Sequence, residues 1–178
     1  SLSRICLKGK HWEPLVDILE QSDHEREWRL RVARGIIEEG CGVVVVLNRL
    51  RDVFRELESF DDFAKVEELL LSFESGRDER VSRCSSLGTV YLDKLNDPGR
   101  AREYYDKVLE LDPKDEIAFH GLRKIFRVGH FWERLRELNE AFLDVVPEME
   151  RLELLIEIRD ILSDNLNEPE LAFIAACR

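Results

Sequence analysis

Residues 92–101 read LDKLNDPGRA, and residues 163–172 read SDNLNEPELA. One constant shift aligns them: Leu95 with Leu166, Asn96 with Asn167, Pro98 with Pro169 and Ala101 with Ala172. Self-similarity at a fixed period is the mark of an array in which each unit buries its apolar face against the next. A half-period is also visible. Pro113 and Pro147 stand half that shift apart, each closing an amphipathic stretch, YYDKVLELDP and LNEAFLDVVP. Phe63 and Trp132, almost one full shift apart, open the matching contexts FAKVEEL and WERLREL. The long period therefore divides into two subunits of roughly 34–37 residues each.

Within these subunits the apolar spacing is helical. Val81, Cys84, Leu87, Tyr91 and Leu95 recur at three and four residues, which places them on one helix face. Asn96-Asp97-Pro98 supplies a break, an N-cap and a first-turn proline. A second helix over 98–111 holds Ala101, Tyr105, Val108 and Leu109 inside, and Asp112-Pro113 ends it. Asp115 caps a helix over 116–128 that buries Phe119, Leu122 and Phe126, with Gly129 as its C-cap. The stretch 131–146 buries Trp132, Leu135, Leu138 and Phe142, and helices over 150–165 and 169–178 begin the pattern again. Each unit is a helix hairpin. A single hairpin cannot cover both of its apolar faces, so neighbours must stack.

Composition agrees. Of 178 residues, 44% are hydrophobic and 37% charged, with 9 Gly and 5 Pro. Few breakers together with abundant Leu, Glu and Arg favour helix, because those side chains lose little freedom there. The longest apolar run, Val43–Leu47, is far short of the roughly 20 residues that span a bilayer, so no membrane partner is expected. Acidic residues outnumber basic ones 38 to 27, giving a net charge of −11, and such a chain repels phosphate backbones; no nucleic-acid partner is expected. Cys6, Cys41, Cys84 and Cys177 have irregular spacings without a CxxC, which predicts free thiols, three of them packed as small apolar residues, in a reducing, cytoplasmic setting. Ser1-Leu2-Ser3-Arg4 lacks the layout of a signal peptide. The absent initiator Met, and Leu171–Arg178 reading as the middle of an apolar helix face, predict a fragment of a longer array.

The unit 81–115, with Leu87-Gly88-x-x-Tyr91, Ala101, Tyr105 and Pro113, resembles the tetratricopeptide repeat family, in degenerate copies of bacterial style. Half-repeats of RNA-processing proteins are similar too. The resemblance implies an all-α, right-handed superhelical solenoid of stacked hairpins, with Gly and Ala letting helices approach and aromatics filling the space between hairpins. The unit 116–149 keeps Leu122, Phe126 and Pro147 but places Arg123 where Gly is usual and Leu135 where Ala is usual. The unit 150–178 keeps Ile158, Leu162, Pro169 and Ala172 and stops short, while 47–80 fits through Leu50, Val53, Phe63, Val66 and Phe73. Residues 1–46 are irregular helices that include a leading half-repeat: Trp12-Glu13-x-Leu15 matches Trp132-Glu133-x-Leu135. Segment 25–39 reads as a helix that Gly40-Cys41-Gly42 breaks, and the interval from Trp12 to Phe63 falls short of the long period by half a subunit, one helix missing or merged. The whole reads as one continuous domain.

No catalytic constellation emerges. His11, His24, His120 and His130 build no metal motif, and nucleotide loops and hydrolase elbows are absent from the sequence. No enzyme, cofactor or metal is expected. Cys84 reads as a small core residue rather than a nucleophile. Asp61-Asp62 and Glu67-Glu68 read as solvated surface, and His11 and His130 as helix-entry residues.

In the family the first helix of each hairpin lines the concave face. That register selects Asn48, Arg51 and Arg55, then Ser82, Ser85 and Thr89, then His120, Lys124 and Arg127, and last Glu153, Ile156 and Asp160. Arg51, Arg55, Ser85, Thr89, His120, Lys124 and Arg127 are the candidate partner-binding residues, since Arg and Lys on adjacent helices hold carboxylates through charge-assisted bonds. Against this stands the plain alternative that these are surface charges paired with nearby acids such as Glu56. The Lys/Asn pattern of carboxylate-clamp members is not reproduced. The expected function is a non-catalytic scaffold that binds a protein or peptide, an acidic one included, in the groove. Self-association through an exposed solenoid end, a regulatory domain of a larger protein and, less favoured, an RNA-binding helical repeat remain open.

Overall fold

The computed structural model describes residues 12–21 and 25–177. Cys6, His11 and His24, named above, lie outside them. The described residues form helices and a π-turn without a strand among them: α1 Trp12–Gln21, α2 Arg26–Glu38, α3 Val44–Glu56, α4 Phe60–Phe73, α5 Arg77–Asp93, α6 Pro98–Leu111, α7 Glu116–Val128, α8 Trp132–Phe142, α9 Glu148–Asp160, the π-turn Ile161–Asn165 and α10 Pro169–Ala176. The chain divides into two compact units. The first holds the described residues up to Arg83 together with Asp93–Leu95; the second holds Cys84–Leu92 and the described residues from Asn96 onward.

The helix ends follow from local chemistry. Asp97 and Asp115 act as the expected N-caps, accepting from the backbone N–H of Arg100 at 3.0 Å and of Ala118 at 2.7 Å. Three helices stop in one way. At Gly40, Glu58 and His130 the backbone turns left-handed, with φ of 79°, 51° and 57°. In each case the next residue donates to a carbonyl one wide turn back: Cys41 to Ile36, Ser59 to Phe54 and Phe131 to Phe126. This pattern satisfies carbonyls that a helix C-terminus otherwise leaves bare. Gly129 is the C-cap of α7, but the left-handed residue is His130. The long period is exact at the backbone. Asn96 and Asn167 have φ of 52° and 55°, and Asp97 N–H and Glu168 N–H donate to Tyr91 and Leu162 at 2.8 and 2.7 Å.

The turns also correct one alignment. Glu58 and His130 occupy equivalent turns, and counting forward from each pairs Phe60 with Trp132 and Phe63 with Leu135, rather than Phe63 with Trp132. Two helices, α2 and α3, separate α1 from α4, whereas three separate α4 from α8. This accounts for the short first quarter. The segment expected as one helix over 150–165 instead widens into the π-turn after Asp160.

In the first unit α1 packs on α2 and α3, and α3 on α4. Leu15, Leu19, Ile36, Leu47, Leu50, Phe54 and Leu70 are fully buried. Phe73, expected inside, is half exposed. In the second unit α6 to α10 pack each on the next. Phe119 and Phe142 stack at 4.0 Å over a core that includes Leu154, Ile158, Leu162 and Ala172. Tyr91 of α5 stacks on Tyr104 of α6 at 5.7 Å. Trp132 is only partly buried. Cys41 and Cys84 are buried and in no disulfide, and Cys177 is exposed; burial pushes the Cys41 thiol up from its ordinary pKa.

Candidate functional site

In the first unit, Arg51 and Arg55 both lie on α3, one helical turn apart. Arg51 is largely covered and reaches Asp52 at 3.0 Å and Glu67 at 3.7 Å. Arg55 is exposed, 3.4 Å from Asp52, with its guanidinium 5.2 Å from the centre of the Phe63 ring. Glu67, on α4, is buried and also pairs with Arg83 at 2.9 Å. Glu56 pairs not with Arg51 but with Arg29 of α2, at 2.8 Å, and that contact holds the Glu56 carboxyl below its usual range.

The acidic doublets are not the solvated pairs the sequence implies. Asp62 is 5% exposed. It accepts from Ser59 at 2.7 Å and pairs with Arg34 at 2.7 Å. Burial pushes the Asp62 carboxyl up, but the bonds from Arg34 and Ser59 outweigh it and hold it below its usual range. Asp62 and Glu67 are buried because each is the acid that a cation on another helix requires; a carboxylate left unpaired at that depth would be costly. Asp61 remains on the surface.

In the second unit, His120, Lys124 and Arg127 recur at four and three residues on α7 and share one exposed face, while Phe119, Leu122 and Phe126 of the same helix are buried. His120 Nε2 lies 3.8 Å from Glu150, and Arg127 pairs with Glu157, both acids of α9. Thr89 of α5 donates to the Ser85 carbonyl at 2.9 Å and meets the Tyr105 hydroxyl at 3.3 Å. Ser85 is buried, and its hydroxyl has no hydrogen-bond partner among the described residues. Thr89 is exposed, so of the two only Thr89 stands on the surface.

The residue that organises this face is Glu157, which sequence reasoning passed over in favour of Glu153, Ile156 and Asp160. Its carboxylate accepts from Arg123 at 2.6 Å, from Arg127, and from the amide of the fully buried Asn139 at 2.8 Å. Burial pushes the Glu157 carboxyl up, but these three donors outweigh it and leave it below its usual range. The signal was in the spacing: Glu157 stands 34 residues after Arg123, the length of one subunit. A related arrangement in the first unit gathers Arg51 and Arg83 on Glu67, while Arg55 pairs with Asp52. Arg51 and Arg55 correspond to Arg123 and Arg127 by the shift that relates Glu58 to His130, and buried Glu67 corresponds to buried Asn139. In one unit the second helix of the hairpin carries the acid. In the other it carries an amide, and the acid comes from the following helix.

Two glycines let the helices of the second unit close up. A Cβ on Gly88 would lie 2.6 Å from the Tyr105 ring, and one on Gly121 would lie 2.3 Å from it. The Tyr105 ring thus fills the space between its own hairpin and the next. Among the described residues no cluster of His, Cys, Asp or Glu is placed to hold a metal ion, and no described helix is long and apolar enough to cross a membrane.

No protein-family model matches the chain, and no curated protein matches it by sequence. Solved structures do resemble it. YrrB, described as a TPR protein with an unusual peptide-binding site, superposes with a TM-score of 0.55 at 15% identity, covering 98% of this chain and 88% of its own. PilF of Pseudomonas aeruginosa gives 0.52 at 15% identity, covering 99% and 86%. Residues 41 to the end of MamA from Desulfovibrio magneticus RS-1 give 0.51 at 15% identity, covering 96% and 92%. The chain has an all-α fold of stacked helical hairpins of the tetratricopeptide-repeat kind, as the repeat pattern and the family resemblance implied.

Proposed function

We propose that the chain is a non-catalytic protein-interaction scaffold that holds a peptide or helix against the first helices of its hairpins. The observation that carries this reading is the divided surface of α7. One side is committed to the core through Phe119, Leu122 and Phe126, and the other presents His120, Lys124 and Arg127 to solvent. A backbone held rigid on one side, with long polar side chains on the other, is suited to recognition: the scaffold fixes the geometry and the side chains select the partner. Lys124 and Arg127 favour acidic residues in that partner, and Thr89 adds a hydroxyl. Arg51 and Arg55 play the matching part in the first unit. The likeness to YrrB, a protein described as having a peptide-binding site, supports the same class of work. A cytoplasmic setting suits Cys41 and Cys84, buried thiols that form no disulfide.

The test is binding to a peptide array graded from acidic to basic. Acidic members are captured, capture weakens as salt rises, and Lys124→Glu with Arg127→Glu abolishes it. Arg127→Gln, which avoids placing two acids together, weakens it in part. Capture indifferent to all three substitutions refutes the reading.

A second reading, self-association, is favoured by α10, where Leu171, Phe173 and Ile174 are 49%, 71% and 52% exposed. It predicts a mass by light scattering that rises with concentration and returns to that of a monomer in Phe173→Ser.

A further inference from the structure

Helix α9 carries apolar side chains on two sides. Leu154 and Ile158 are buried in the core of the second unit, yet Met149, Leu152 and Ile156 are 78%, 56% and 43% exposed on the opposite side. Apolar side chains on a second side of a helix, away from the core, mark a second surface suited to a contact. The outer side also borders a groove. Leu143, Val146, Met149, Leu152 and Leu155 line an open cleft of about 780 Å³ between α9 and the segment that precedes it, with Asp144, Glu148 and Arg151 at its rim. The cleft lies entirely within the second unit.

The charges around this cleft that have no partner among the described residues are of one sign. Arg151 is matched by Asp144 at 4.0 Å. Glu148, at the rim, and Glu153, beside Met149 and Ile156 on the helix surface, are exposed and have no cation partner among the described residues. A second copy of this chain would bring the same acids and a net charge of −11 to the contact, and like charges brought together at an interface oppose it.

We propose that this cleft is a docking site for a basic amphipathic helix of a partner protein, distinct from the α7 face. Apolar residues spaced three and four apart on that helix enter between Leu143, Val146 and Leu152, and lysines or arginines flanking them reach Glu148 and Glu153. Burial of the apolar stripe supplies affinity, and the acids set the sign of charge that is admitted.

The probe is a synthetic amphipathic helix with a leucine stripe and lysines on its polar side, alongside the same peptide with glutamates in place of the lysines. Binding to the intact chain is followed by fluorescence anisotropy. The lysine peptide binds, the glutamate peptide does not, and rising salt weakens the complex. Met149→Ser with Leu152→Ser, and separately Glu148→Lys with Glu153→Lys, each reduce affinity by about tenfold or more, as losing an anchor or reversing rim charges does. Both pairs are exposed, and circular dichroism confirms that the variants fold. Asp61→Ala, an exposed change in the first unit, leaves this binding unchanged. Equal binding of the two peptides, indifference to either double variant, or a dimer that Leu152→Ser dissociates would each overturn the proposal.

Discussion

Gly88 and Gly121, from different hairpins, press on two edges of one ring, that of Tyr105. Neither position has room for a methyl group, and the ring held between them cannot move away from one without meeting the other. An alanine at Gly121 would gain about 1 kcal/mol in helix propensity but lose about 1–3 kcal/mol to overpacking. The second effect wins, because a Cβ only 2.3 Å from the ring forces a displacement. Gly121→Ala therefore lowers the urea midpoint, and adding Tyr105→Leu, which removes the obstructing ring, recovers part of the loss. If the double variant is less stable than the sum of the two single changes, the clasp is misread.

Asp61 and Asp62 are neighbours in sequence with opposite roles. Asp62→Ala strips Arg34 and Ser59 of their acceptor and costs about 1–3 kcal/mol, the loss falling on a buried polar group. Arg34 can turn to solvent, which keeps the cost below that of breaking a fully buried pair. Asp61→Ala changes stability by about 0.5 kcal/mol or less, as an exposed position does. Equal effects in denaturant unfolding would contradict the burial of Asp62.

Glu157 and Asp62 have folded-state pKa values below their ordinary ones. Such groups contribute stability that is fully present above the unfolded value, about 4.3 for Glu and 3.9 for Asp, and is lost as pH falls through the folded value. Glu157→Gln and Asp62→Asn are therefore less stable than the parent at pH 7, and the difference shrinks steadily below pH 4. Denaturant titrations at pH 7, 4 and 3 measure it. A gap that stays constant down to pH 3 would mean that the ion pairs add nothing.

Glu58 and His130 hold equivalent left-handed turns without a glycine. A left-handed backbone costs a residue with a side chain roughly 1–2 kcal/mol, against which glycine brings extra freedom to the unfolded chain. Glu58→Gly and His130→Gly are accordingly neutral or mildly stabilising, whereas Glu58→Val and His130→Val are destabilising by more than about 1 kcal/mol, since β-branched residues fit this region worst. Thermal melts of the four variants should pair by substitution, not by position.

The helices were legible because their information is local. Spacing of apolar residues, Asp97 and Asp115 as caps, and the Asn96/Asn167 breaks each concern a few adjacent positions, and the structure reproduces them. The pairing of Phe63 with Trp132 failed because it matched letters, whereas the turns at Glu58 and His130 set the register just upstream. The buried acids were illegible for a different reason. Nothing in EELL or DDF tells a solvated carboxylate from one that meets an arginine 16 or 28 residues distant. Likewise Ser85 and Thr89 are alike in the sequence, but one is buried and the other is not.

The three donors gathered on Glu157 give the α7 face a property of its own. An incoming acid finds Arg127 already engaged by a tenant from the same chain. Capture of such a ligand would then be an exchange, its strength the difference between two similar attractions, and it would remove one of the bonds that tie α7 to α9 while Arg123 keeps its own hold on Glu157. A ligand that takes hold there would be read out in the melting behaviour of the last hairpins as much as in its own affinity.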